Sequence, residues 1–156
     1  MKIRLIAVGT RMPAWVETAY ADYASRLPRE LRLELTQIAV ATRRKNSDIA
    51  RLKQQEGERM LKAVSERDRV IALDERGQAW SSEELAQRLA RWQQDGLDVD
   101  LLVGGPDGLA DGCLQRAESR WSLSPLTLPH ALVRVLLAEQ LYRAWSLLAN
   151  HPYHRA

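Results

Sequence analysis

Phenylalanine is missing altogether from the 156 residues, and cysteine occurs once, as Cys113. A single cysteine excludes an intrachain disulfide, and no Cys/His spacing of the metal-binding kind accompanies the three histidines. No stretch approaches the roughly 20 apolar residues that span a bilayer. The opening MKIRLIAVGT joins a charge to an apolar run, but no small-residue cleavage site follows it. It reads as a first strand rather than a signal peptide, and the expected location is cytoplasmic. Repeats, low-complexity tracts and linker-like segments are also lacking, which excludes a solenoid and points to one domain over 1–156. Neither a G-x-G-x-x-G fingerprint nor a Walker A motif occurs, so neither usual phosphate loop is available.

What is present is ordinary in amount: 46% apolar and 28% charged residues, with a net charge of +3. A chain of this size buries about 70% of its unfolded surface. The mild basic bias is compatible with nucleic acid as a partner. Five tryptophans and four tyrosines stand where phenylalanine is absent. Most suit a core; their polar atoms also suit interfaces and base stacking.

The apolar pattern alternates between two periods. KIRLIAV (2–8) is a short apolar run ended by Gly9, and RLELTQIAV (32–40) alternates. RVIALD (69–74), VDLLVGG (99–105) and a brief piece near WSLS complete five extended segments. Helical spacing separates them. Residues 13–27 place Trp15, Ala19, Tyr23 and Leu27 at i, i+4, starting with a helix-compatible proline. Ser47 is positioned to cap a second helix to about Ser65, with Ile49, Leu52 and Met60 among its apolar positions. Ser81 with Glu84 forms a capping-box pattern and Gly96 a stop. A short helix over 110–118 and a long one over 131–149 follow. This alternation predicts an α/β fold with a mostly parallel sheet and helices on both faces. Ligands in such sheets sit beyond the strands' carboxyl ends. That rule marks Gly9–Pro13, Leu73–Gly77 and GGPDG (104–108).

Each chemical signal carries a plain structural alternative. GGPDG lets backbone approach a ligand closely, or is only a turn. LSPLTLPH is apolar yet broken by two prolines, so it is neither helix interior nor central strand. Its backbone either hydrogen-bonds a polar heterocycle such as adenine or forms a buried connection. Arg134 lies on the apolar stripe of the last helix with Ala138, Leu141, Trp145 and Leu148. Its charge either snorkels to water or meets a carboxylate in a site or across an interface. Arg43, Arg44 and Lys45, with Arg11, form a candidate phosphate-contacting rim or a solvated loop. The tail NHPYHR gathers His151, Tyr153, His154 and Arg155 beyond the last helix.

Together MKIRLIAVGTRMPAWV, VGGPDGL, LSPLTLPHALVRVLLAEQLYRAW and NHPYHR closely resemble the RlmH (YbeA) family, over essentially the entire chain. These are SPOUT-class methyltransferases that modify pseudouridine in 23S ribosomal RNA. The resemblance implies S-adenosylmethionine as cofactor and N3 of pseudouridine 1915, in helix 69 of 23S rRNA, as target in the assembled 70S ribosome. It also implies a homodimer, a C-terminal trefoil knot, and neither metal nor membrane. Mapped by motif, the cofactor residues are Leu73, Gly104, Gly105, Leu123, Ser124, Pro125, Leu126, Thr127 and Leu128. His130 is the expected contact to the target base. Tyr153 and His154 are expected to stack on or hydrogen-bond that base, and Arg155 to stabilise anionic charge or grip a phosphate. The competing reading is a non-catalytic RNA- or ribosome-binding module on the same scaffold.

Overall fold

The computed structural model describes residues 1–155, except for the side chain of Arg155. Five strands, β1 (Lys2–Val8), β2 (Arg32–Ile38), β3 (Arg69–Ala79), β4 (Val99–Val103) and β5 (Ser119–Ser122), alternate with five helices. The helices are α1 (Ala14–Ser25), α2 (Ile49–Ala63), α3 (Ser82–Asp95), α4 (Asp111–Arg116) and α5 (His130–Leu148). The strands pair in the order β2-β1-β4-β3-β5, and every pairing is parallel. The mostly parallel sheet expected from the sequence is thus wholly parallel among the described residues.

Alternation along β1 divides the core in two. Ile3, Leu5 and Ala7 face a cluster containing Leu85 and Leu89 of α3 and Leu137 and Leu141 of α5. Ile6 and Val8 face Met60 of α2 and Cys113 of α4. Helices therefore cover both faces, as a parallel sheet requires. Each fully buried leucine or isoleucine contributes about 1.5–3 kcal/mol of transfer free energy. Charged residues are buried here as well. Asp100 of β4 is fully buried and accepts from Nε and Nη2 of Arg4, which also reaches Asp68. Burial pushes the Asp100 carboxyl up to about 7 against the opposing pull of Arg4.

Local departures from the sequence reading have local causes. In α1 and just beyond it the inward residues are Val16, Tyr20 and Leu27, while Trp15 is 58% exposed. An apolar side chain one position earlier lies about 100° around the helix. Asp48, not Ser47, caps α2: its side chain accepts from Arg51 N at 3.3 Å. The Ser47 hydroxyl instead accepts from Arg44 N within the preceding loop, which places it one residue too early. Ile49, at the first position of α2, is consequently exposed. Ser81 and Gly96 bound α3 as expected. β3 runs on to Ala79 rather than ending at Asp74, because Gln78 and Ala79 re-pair with Trp121 and Ser122 after an irregularity at Leu73.

Candidate active site

The carboxyl ends of β3, β4 and β5 and the start of α5 enclose a cleft of about 1010 Å³. That placement follows from strand polarity, since parallel strands deliver all their following loops to one edge. Leu73, Gly104, Gly105, Leu123, Ser124, Leu126, Thr127 and Leu128 line it, with His130 at one end. Pro125 is exposed and lies outside the lining. The Gly9–Pro13 segment, also marked by the strand-end rule, does not line the cleft. Sequence reasoning did not single out Arg76, Arg120 or Trp121, which complete the walls. Arg76 lay within a marked loop; Trp121 lay in the brief fifth extended piece and Arg120 just before it, a stretch read as strand and not as site.

The GGP segment is a tight turn. Gly108 N donates to Gly105 O at 3.1 Å, with Pro106 and Asp107 at the tip and Gly108 at φ 82°. A Cβ on Gly104 would lie 2.5 Å from the Gly108 carbonyl carbon, so no larger residue closes this turn. The LSPLTL loop is held by side chains. Ser122 Oγ donates to Ser124 O, and Ser124 Oγ accepts from Leu126 N. Thr127 Oγ1 donates to Glu75 Oε2 at 3.0 Å, tying this loop to the one inside β3. The loop is not a buried connection: Pro125, Leu126 and Thr127 are exposed, Leu126 by 71%. Among the described residues, the backbone of Leu123, Thr127 and Leu128 makes no loop or turn bond to other backbone.

His130 is the first residue of α5, where Pro129 holds the capping position and no side chain caps the helix. Burial, then the charge of Arg134, lowers the His130 pKa from its ordinary value, so the ring is neutral near pH 7. Arg134 neither snorkels nor meets a carboxylate. It is 1% exposed and donates to Gln37 Oε1 (2.9 Å), Gly9 O (2.7 Å) and Val8 O (3.5 Å), with Nε unpartnered. The terminal carbonyls of β1 take the place of the expected carboxylate. His130 and Arg134 both close on Gly9, whose Cβ position lies 3.7 Å from His130 Nε2 and 3.3 Å from Arg134 Nη2.

The tail is ordered but lies elsewhere. Asn150, at φ 55°, reverses the chain, and Pro152–Arg155 form a 3₁₀ turn against α5. Tyr153 Oη donates to Glu139 Oε1 at 3.1 Å, and Glu139 also accepts from Arg143 and Gln140. His154 Nδ1 sits 3.4 Å from Ser146 Oγ. Tyr153 packs on Tyr142 with ring centroids 4.6 Å apart. Within one chain, Tyr153 and His154 are thus not brought to the cleft. Glu139 stands roughly 13 Å along α5 from His130, at about 1.5 Å per residue. The side-chain role expected of Arg155 lies outside the described residues.

The basic rim is also revised. Arg43 is committed to Glu56 (Nη1 to Oε2, 2.9 Å) and Asp107 (Nη2 to Oδ2, 2.6 Å). Arg11, Arg44 and Lys45 remain exposed. Among the described residues no His/Cys/Asp/Glu group is arranged to hold a metal, and no helix is long and apolar enough to cross a membrane.

A wholly parallel sheet, with a glycine turn and a proline-broken loop meeting at one cleft, sets the class. The family model described as "Predicted SPOUT methyltransferase" matches residues 1–154, and the chain belongs to that family. A curated relative, ribosomal RNA large subunit methyltransferase H of Hahella chejuensis (strain KCTC 2396), is 57% identical over 155 residues. That match spans 99% of this chain and 99% of the relative. Two solved structures share the fold. A probable methylase family protein from Haemophilus influenzae Rd KW20 aligns with TM-score 0.60 at 16% identity, over 97% of this chain and 69% of that one. A probable methyltransferase from Bordetella pertussis Tohama I aligns with TM-score 0.56 at 18% identity, over 91% of this chain and 95% of that one.

Proposed function

We propose that the chain methylates large-subunit ribosomal RNA from S-adenosylmethionine, at N3 of pseudouridine 1915 in helix 69 of 23S rRNA within the 70S ribosome. The observation that carries this reading is the meeting of the GGP turn, the LSPLTL loop and His130 at one cleft. It does so in a chain largely identical to a relative named for large-subunit rRNA methylation.

The cleft suits the cofactor on its own chemistry. Leu73, Leu123 and Leu128 offer apolar walls to an adenine ring, and the loop backbone beside them offers hydrogen-bond partners to its edge. Gly104 and Gly105 leave backbone exposed to close approach. When bound, S-adenosylmethionine supplies an activated methyl group on sulfonium sulfur. The chain's own residues supply orientation and proton handling. The neutral His130 ring accepts the N3 proton of the target base, leaving the nitrogen anionic and nucleophilic. The buried charge of Arg134 behind it favours that anion.

Tyr153, His154 and Arg155 enter as base- and phosphate-contacting groups from a second subunit of a homodimer. The separation of Tyr153 from the cleft within one chain supports this assignment. The C-terminal part is assigned to a trefoil knot. Its support is membership of the SPOUT methyltransferase family, whose resemblance implies that topology.

The test is methyl transfer to ribosomes lacking the modification, read by mass spectrometry of helix 69, with calorimetry of S-adenosylmethionine alongside. One added methyl at the pseudouridine is expected. Unmodified rRNA together with no saturable cofactor binding would instead establish the non-catalytic module.

A further inference from the structure

The basic segment between β2 and α2 suggests phosphate contact, yet its first cation is turned inward. Arg43 bridges two carboxylates from different parts of the chain. Glu56 of α2 is buried and accepts from Arg43 and from Ala41 N at 3.0 Å, so its position is fixed by the helix and the segment together. Asp107 is the tip of the GGPDG turn, and Arg43 grips it through both Nε (3.1 Å) and Nη2 (2.6 Å). The same turn is pressed from below. A Cβ on Gly105 would lie 2.9 Å from Val8 Cγ1 and 3.5 Å from Glu56 Oε1. Its base is closed by the Gly105–Gly108 bridge. The tip has one side-chain anchor among the described residues, and that anchor is Arg43.

We propose that Arg43 is a positioning residue that holds the Gly104–Gly108 turn in its cofactor-receiving shape by linking Asp107 to the buried Glu56. Arg43 does not line the cleft; it acts through Asp107, which does. A guanidinium suits the task because its planar fork satisfies two carboxylates at once, whereas a lysine ammonium is a point charge on a flexible stem. Preorganising a turn removes an ordering cost from ligand binding. The cofactor reading of the cleft is the premise for the binding part of this inference.

Four variants of the full chain decide it: R43A, R43K, D107N and the R43A/D107N double. Calorimetry should show S-adenosylmethionine binding weakened about tenfold in R43A and in D107N, the scale of one charge-assisted hydrogen bond. The double should lose no more than R43A alone, because removing Arg43 already breaks the link to Asp107. R43K should recover less than half of the loss on a logarithmic scale. D107N is the safer variant, since it leaves the Arg43–Glu56 pair intact; R43A strands a buried carboxylate and can compromise folding. Binding within twofold of wild type in D107N, or additive losses in the double, overturns the proposal. Hydrogen exchange on the ligand-free chain separates this from the cofactor reading. Faster exchange of the Gly108 amide in D107N upholds the clamp even if no variant, nor the wild type, binds the cofactor. Unchanged exchange sinks it.

Discussion

Arg134 carries a full charge into a place where water does not reach. Burying an ion costs several kcal/mol unless hydrogen bonds offset it, and here the offset comes from two backbone carbonyls and an amide rather than an anion. Its net positive field therefore stays largely uncancelled, and both His130 and Tyr20 feel it. The helical period alone exposed Arg134 as out of place. It could not name the partners, because Val8 and Gly9 lie at the other end of the chain and present no side chain for a pattern to detect. Replacing His130 with Ala should lower single-turnover methyl transfer by about 10²–10⁴. Cofactor affinity should change by less than threefold, about 0.6 kcal/mol. In the wild type, the rate should fall as pH drops through the histidine's pKa, and that limb should lie below the ordinary imidazole value. Equal losses in turnover and cofactor binding would make His130 a structural part of the pocket instead.

Capping and pleating decided which elements were legible. Both helix-bounding signals of α3 behaved as read, since Ser81 and Gly96 act on their own backbone neighbours. The start of α2 was misplaced by one residue because Ser47 and Asp48 are both good caps and only loop geometry chooses between them. That choice is measurable. Asp48→Ala should destabilise the chain by about 1 kcal/mol in urea unfolding, the usual cost of losing an N-cap. Ser47→Ala, which removes one bond in a surface loop, should stay within about 0.5 kcal/mol of wild type. A larger loss from Ser47→Ala would return the cap to where the sequence alone put it. The extension of β3 past Asp74 left no signal at all, because Asp74–Gly77 looks like any polar turn. Its second pairing with β5 depends on a neighbour 40-odd residues away in the chain.

At the scale of the whole molecule, alternation of strand and helix was enough for the layers but not for the strand order. Nothing local to any strand sends β4 between β1 and β3; the buried carboxylate of Asp100 on β4 finds its cation in Arg4 on the adjacent strand. The cleft was legible because parallel strands gather their loops at one edge. The tail was legible as residue types and illegible as geometry: it folds back on α5 of its own chain, away from His130. The two-subunit site proposed above is tested directly by mixing defective chains. One variant carries His130→Ala; the other lacks residues 151–156. Each alone should be inactive. If the tail serves the partner's cleft, a mixed dimer contains one intact site, formed by the His130 of the truncated chain and the tail of the substituted chain. Random re-pairing then restores about a quarter of wild-type activity, because half the dimers are mixed and each has one working site of two. If tail and His130 act within one chain, every site in every dimer stays broken, and mixing restores nothing. Size-exclusion chromatography before and after mixing confirms that both variants still pair, so a null result speaks to the site and not to assembly.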